Sequence, residues 1–270
     1  MNKISCFFFF LFSFIGVYAQ SNIGGKDLQD VLFGRSVKSC DEFMARFNEE
    51  ELFPDLDKLD PELGQKNFFC LFDVNLAEKL GKNKLIKEVY SIYDKVKAAN
   101  VKLSYESNKW YAELRTQFLF KTKPVELGIV MQTTITPKGL PCWCIVGING
   151  MEKVGFSDSL KRKSISPEQH EAEFIEIESD FKFETKSFSQ FRSPESHVDA
   201  LSYFFALIES GTLTFDKRLF TIFHFLDIPS YVFSVKYFDR KMSNTGWLVY
   251  DYKTVNSSER KVFIKKLLGK

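Results

Sequence analysis

The sequence predicts an α+β protein in which helices precede a three-stranded antiparallel meander and the same order recurs in a second block. Three observations carry this expectation. Residues 109–150 read as long alternating strands separated by turn residues. The stretch before them, from Ser39 on, places apolar residues at helical spacing. Residues 166–270 put two helical patterns ahead of three further strand patterns. A chain of 270 residues with 44% hydrophobic and 16% aromatic content has ample apolar surface for a core and room for one large domain or two.

In chain order, residues 1–19 carry a basic head (Lys3), a phenylalanine-rich apolar run from Ile4 to Val17 and a small-residue ending at Ala19, the pattern of a secretory signal peptide. The run is shorter than the ~20 residues that span a bilayer, so no transmembrane span is expected in the mature chain, and the expected location is periplasmic or secreted. Cys6 lies at the start of the apolar run, which speaks against a lipoprotein anchor. Residues 20–36 read as a linker. From Ser39, with Glu42 completing a capping box, Phe43, Met44 and Phe47 mark an amphipathic helix. Residues 66–99 carry helical patterns separated near 73–75 or broken at Gly81, with Leu85, Val89, Ile92, Tyr93 and Val96 on one side.

The first meander alternates Trp110, Ala112, Leu114, Phe118 and Phe120 against Tyr111, Glu113, Arg115 and Gln117, so the two sets point to opposite faces. After a turn with Pro124 at or beside it, Val125, Leu127, Ile129 and Met131 resume the pattern. A second turn at 137–139 leads into an interior-like strand around Cys142, Trp143 and Cys144. Residues 37–150 form the first expected domain, 151–165 a cationic linker with Lys161, Arg162 and Lys163, and 166–270 the second. In that second block a helix opens at Ser166 and Pro167, another at Ser193 and Pro194, strands follow over 218–227, 231–239 and 246–253, and 256–268 reads as a short basic amphipathic helix.

The inventory of chemistry is thin. With 37 basic and 35 acidic side chains the chain is close to neutral and carries no electrostatic footprint for nucleic acid. Glycine-rich phosphate loops, dinucleotide fingerprints and metal-binding helix motifs do not occur. His170 and His197 fall in exposed helical starts, whereas His224 alternates with Ile222 and Leu226 as a partly buried, hydrogen-bonded strand histidine would. The Glu173, Glu176, Glu178 and Asp180 cluster lacks the glycine turn of a calcium loop and reads as a solvated face.

Beyond residue 19 there are four cysteines, which allow three pairings. Cys142 and Cys144 share a strand face with parallel side chains, a poor arrangement for bonding each other, so an oxidised one would pair with Cys40 or Cys70. The alternative is four buried thiols acting as small hydrophobes. Cys-x-Cys with three scattered histidines lacks a structural zinc spacing. No cofactor, metal or catalytic set is expected.

Helices, a strand beginning KWYAEL, a hairpin, and a last strand CWCIVGING resemble the NTF2-like superfamily, in particular exported bacterial proteins of unknown function with an FMxRFN-type first helix, here Phe43 to Asn48. The resemblance covers residues 37–150. It implies a curved sheet wrapped around helices as a cone with a pocket at the open end, lined here by Trp110, Leu114, Phe118, Ile129 and Met131. Enzymes of that superfamily place an aspartate, histidine or tyrosine in the pocket, and no such set matches positions of this chain.

The leading expectation is therefore an exported, non-catalytic binding or interaction module whose apolar pocket takes a small apolar ligand or a protein segment. The second is an NTF2-like pocket enzyme of hydrolase or isomerase type using a dispersed set such as Glu113, Arg115 or Tyr111. A carboxylate and a histidine or tyrosine converging in one pocket would favour it. Glu113 and Arg115, with Gln117 and Gln132, either line a polar groove or form the water-facing side of a half-covered sheet. The third expectation is a surface scaffold protein with a filled core.

Overall fold

The computed structural model describes residues 36–157, 198–240 and 244–270. The signal-peptide stretch, the cationic run, His170, His197, the acidic cluster and the helix expected from Ser166 lie outside the described residues. The protein is α+β: N-terminal helices and one open six-stranded antiparallel sheet, with later helices.

Among the described residues four helices come first: α1 (Cys40–Phe47), α2 (Leu63–Phe69), α3 (Asn75–Leu80) and α4 (Lys82–Ala98). Ser39 caps α1 by accepting a hydrogen bond from the Glu42 N–H at 3.1 Å, and Glu42 accepts from the Lys38 N–H at 2.6 Å. The chain breaks both near residue 73 and at Gly81, so the expected alternatives both occur. The FMxRFN segment does structural work. Phe43, Met44 and Phe47 enter the core; Arg46 is buried against Phe53 and pairs with Glu42 and Glu51. Asn48 clasps both backbone groups of Leu103, accepting from its N–H at 2.8 Å and donating to its carbonyl at 3.0 Å.

Strands β1 (Trp110–Phe120), β2 (Lys123–Ile135) and β3 (Pro141–Asn149) form the first meander. Lys121 and Thr122 both have positive φ, 49° and 70°, as a two-residue hairpin turn requires. Pro124 is the second residue of β2, just after that turn. A 3-10 turn (Met151–Val154) follows β3, and α5 (Ala200–Glu209) is capped by Asp199, whose carboxylate accepts from the Ser202 N–H at 2.7 Å. That cap sets the start of α5 at Ala200, after the exposed Val198. Strands β4 (Leu213–Phe225), β5 (Tyr231–Phe238) and β6 (Gly246–Thr254) lead to α6 (Ser257–Leu267), opened by a full capping box between Asn256 and Glu259.

The sheet order is β3-β2-β1-β4-β5-β6, and β1 hydrogen-bonds to β4 along its whole length. The strands of both blocks read from the sequence are thus joined edge to edge. Both faces are covered. On one, Trp110 packs with Phe43, Phe225 and Phe233 under α1–α4, while eight residues further along β1 Phe118 packs with Phe204 and Leu207 of α5. Leu114 and Met131 lie between these covers, half-buried. On the opposite face Tyr111, Val130, Val232 and Leu226 pack against Phe263, Ile264 and Leu267 of α6. Gly147 admits this close approach, because a Cβ there would meet the backbone of Leu268 at 2.8 Å.

Candidate functional site

The face under α6 holds a cluster of buried polar side chains that cross-strand register brings together. On β1, Tyr111 lies opposite Gln132 of β2 and His224 of β4; Glu113 is two residues further on, and Arg115 sits opposite Gly128, which in turn pairs with Asn149 of β3. His224 lies opposite Ser234 of β5. A strand period of two sends all these side chains to one side. Glu113, His224 and Ser234 are only 3%, 5% and 6% exposed, so each needs internal partners.

They have them. Glu113 accepts from Asn149 Nδ2 at 2.7 Å and forms an ion pair with Arg115 Nη2 at 2.9 Å on one oxygen, and meets His224 Nε2 at 3.0 Å on the other. His224 Nδ1 lies 3.0 Å from Ser234 Oγ. Burial pushes the Glu113 carboxyl up, but the hydrogen bonds from His224 and Asn149 and the charge of Arg115 outweigh it and hold it below its usual value. An ionised Glu113 only accepts, so His224 Nε2 carries a hydrogen; a neutral ring then accepts the Ser234 hydroxyl at Nδ1, and a protonated ring donates there. Either state of the imidazole satisfies the network. Gly128 makes the room, since a Cβ there would lie 2.3 Å from the Asn149 side-chain oxygen and 2.7 Å from Glu113.

Beside this cluster opens a cleft of about 610 Å³. Glu113 and His224 form part of its wall, with Asn149, Phe263 and Leu267. Five cationic side chains line it, Arg115, Lys153, Lys253, Lys266 and Lys270, against two carboxylates, Glu113 and Glu152. With Arg115 paired to Glu113, four lysines stand against Glu152 at the wall, a surplus of three positive charges. Arg115 also approaches Glu126 at 3.6 Å, and Lys153 donates to the Glu126 carbonyl at 2.9 Å, which fixes two of these cations in place. Phe263 stands edge-on to His224 with centroids 5.6 Å apart, an apolar lid over the imidazole.

The seven residues singled out as a ligand site divide between the two faces. Glu113 and Arg115 line this cleft. Trp110 and Phe118 are 2% exposed and belong to two separate core clusters, and Ile129 packs against the second of these. Leu114 and Met131 remain half-buried on the same face as Trp110. Asn149, Ser234, Lys253 and Lys266 were not singled out by sequence reasoning; the signal available was Gly128 and Gly147, isolated glycines inside strand patterns, which mark close approach.

All four described cysteines are free thiols. Cys40 and Cys70 pack against the first core, and burial pushes the Cys40 thiol up to about 12. Cys144 is exposed and Cys40, Cys70 and Cys142 are half-buried, so the four are not uniformly buried thiols and only the first pair packs against the core. Among the described residues no group of three or more His, Cys, Asp or Glu side chains is arranged to hold a metal ion, and no helix is long and apolar enough to cross a membrane. No family model, curated protein or solved structure matches the chain.

Proposed function

We propose that the protein is an exported binding protein for a small anionic molecule, held in the cleft between the β1–β2–β3 face and α6. The observation that carries this reading is the surplus of cationic side chains around a floor carboxylate that Asn149, Arg115 and His224 already satisfy. Such a wall attracts negative charge without needing further counter-charge of its own. The lysines supply point charges for a carboxylate or phosphate, beside an Arg115 held in place by Glu113 and Glu126. Phe263 and Leu267 give the apolar surface on which a ligand's carbon skeleton rests.

The convergence of Glu113 and His224 on one cleft favours the enzymatic alternative, but the bonding argues for the binding role. Both imidazole nitrogens are engaged, one by Glu113 and one by Ser234. A general base needs a nitrogen within reach of the substrate's proton. Ser234, whose hydroxyl is bonded to the ring, is buried and does not line the cleft.

The curved NTF2-like cone belongs to the same proposal. Register shifts between β1 and β4, β2 and β3, and β5 and β6 support bending of the sheet at those places. Export rests on the basic-apolar-small pattern of residues 1–19.

Thermal-shift titration with a panel of small mono- and dicarboxylates, phosphate monoesters and uncharged isosteres tests the reading. We expect stabilisation by one anionic class, weakened by salt and abolished by joint Lys253→Glu and Lys266→Glu substitution. Equal stabilisation by uncharged isosteres would contradict it.

A further inference from the structure

On the same sheet face, but away from the cleft, Cys142 and Cys144 present a second chemistry. They lie opposite Thr134 and Gln132 of β2, so both thiols project to one side of β3. Their sulfurs are 3.9 Å apart. Two thiolates bound to one metal at about 2.3 Å in trigonal or tetrahedral geometry stand roughly 3.8–4.0 Å apart, so the pair is already at chelating distance. A disulfide is much less well prepared. Alternate residues of a strand have Cα atoms about 6.6 Å apart, at the far end of the range that a disulfide bridges, and the sulfurs would have to close to about 2.05 Å.

We propose that Cys142 and Cys144 form a chelating dithiol for a thiophilic monovalent cation of the Cu(I) class. Sulfur ligands select soft ions, and the number of ligands decides among those. Structural zinc takes four protein ligands and catalytic zinc three, whereas among the described residues no third His, Cys, Asp or Glu joins this pair. Cu(I) is held by two thiolates, with any remaining position open to an exogenous ligand. Each thiol loses its proton as a copper–sulfur bond forms; the ion stays Cu(I) and no electron is transferred.

The exposure of Cys144 keeps the pair within reach of solvent.

Anaerobic titration of the full-length mature protein with Cu(I), in competition with bicinchoninate, provides the test. The expected result is one Cu(I) per chain, with an apparent Kd that rises about tenfold for each unit the pH falls, per thiol proton displaced. Cys142→Ser and Cys144→Ser should each weaken binding at least tenfold, with far-ultraviolet circular dichroism unchanged because both positions are at the surface. Cys70→Ala should retain the full stoichiometry. The proposal is overturned if Cu(I) uptake survives both serine substitutions, if Zn(II) competes equally for the same thiols, or if the native protein carries a Cys142–Cys144 disulfide.

Discussion

Glu113 is the residue on which the cluster under α6 depends. Replacing it by alanine strands Arg115, Asn149 and His224 in a covered site, and breaking a buried ionic group in this way costs about 3–5 kcal/mol. Glu113→Gln keeps the shape and one acceptor and should cost about 1–3 kcal/mol; urea denaturation of the two variants measures the difference. The same residue sets an acid limb. Its folded pKa lies below its unfolded value, so its contribution is present above the unfolded carboxylate pKa of about 4.3 and is lost as pH falls through the folded value. Wild-type stability should therefore drop more steeply below pH 4 than that of Glu113→Gln, and parallel curves would refute this. Trp110 makes the opposite case. Its indole N–H is buried without a hydrogen-bond partner, and its ring stacks on Phe225 at 5.5 Å and meets Trp143 edge-on at 4.7 Å. Trp110→Phe removes volume but no hydrogen bond, for an expected loss of about 1–2 kcal/mol in the same denaturation assay.

At the scale of elements, α6 converts one side of a sheet into a site. Its Asn256 cap accepts from the Ser258 and Glu259 N–H groups, both at 2.9 Å, and Arg260 ties the helix to the β4–β5 turn by donating to the Ile228 carbonyl at 3.0 Å. Asn256→Ala should cost about 1 kcal/mol, and hydrogen exchange should quicken first in α6 and then in the Glu113 and His224 amides beneath it. The helix itself was legible in the sequence as a short basic amphipathic pattern over residues 256–268. What it covers was not. Alternation along β1 assigns Glu113 and Arg115 correctly to the face opposite Trp110, but alternation does not say whether that face meets water. The cover comes from a helix distant in sequence, and the partners come from three other strands whose register is set by long-range pairing. Cross-strand geometry of that kind leaves only indirect traces, such as the interior glycines at 128 and 147. The FMxRFN segment shows the converse: its polar members are consumed by an ion pair and a backbone clasp rather than by a pocket.

For the molecule as a whole, the hydrogen bonding of β1 to β4 unites strands separated by a long stretch of chain in one sheet. The Asp73 carboxylate grips Arg240 at 2.6 and 3.0 Å and links the helical block to the strands furthest from β1. The described fold should consequently unfold in one transition, with calorimetric and van't Hoff enthalpies equal; two resolved transitions would show that the halves are energetically separate. The binding reading also belongs to this scale, because the cleft draws Arg115 from β1, Lys253 from β6 and Lys266 from α6.

Native mass spectrometry of the protein, purified without denaturation from the organism that makes it, tests that reading most directly. The predicted result is a small acidic molecule retained by the wild-type chain, released on denaturation, and absent from the Lys253→Glu, Lys266→Glu variant. A retained molecule that is uncharged, or one held equally by the variant, would contradict an anion site in the cleft under α6.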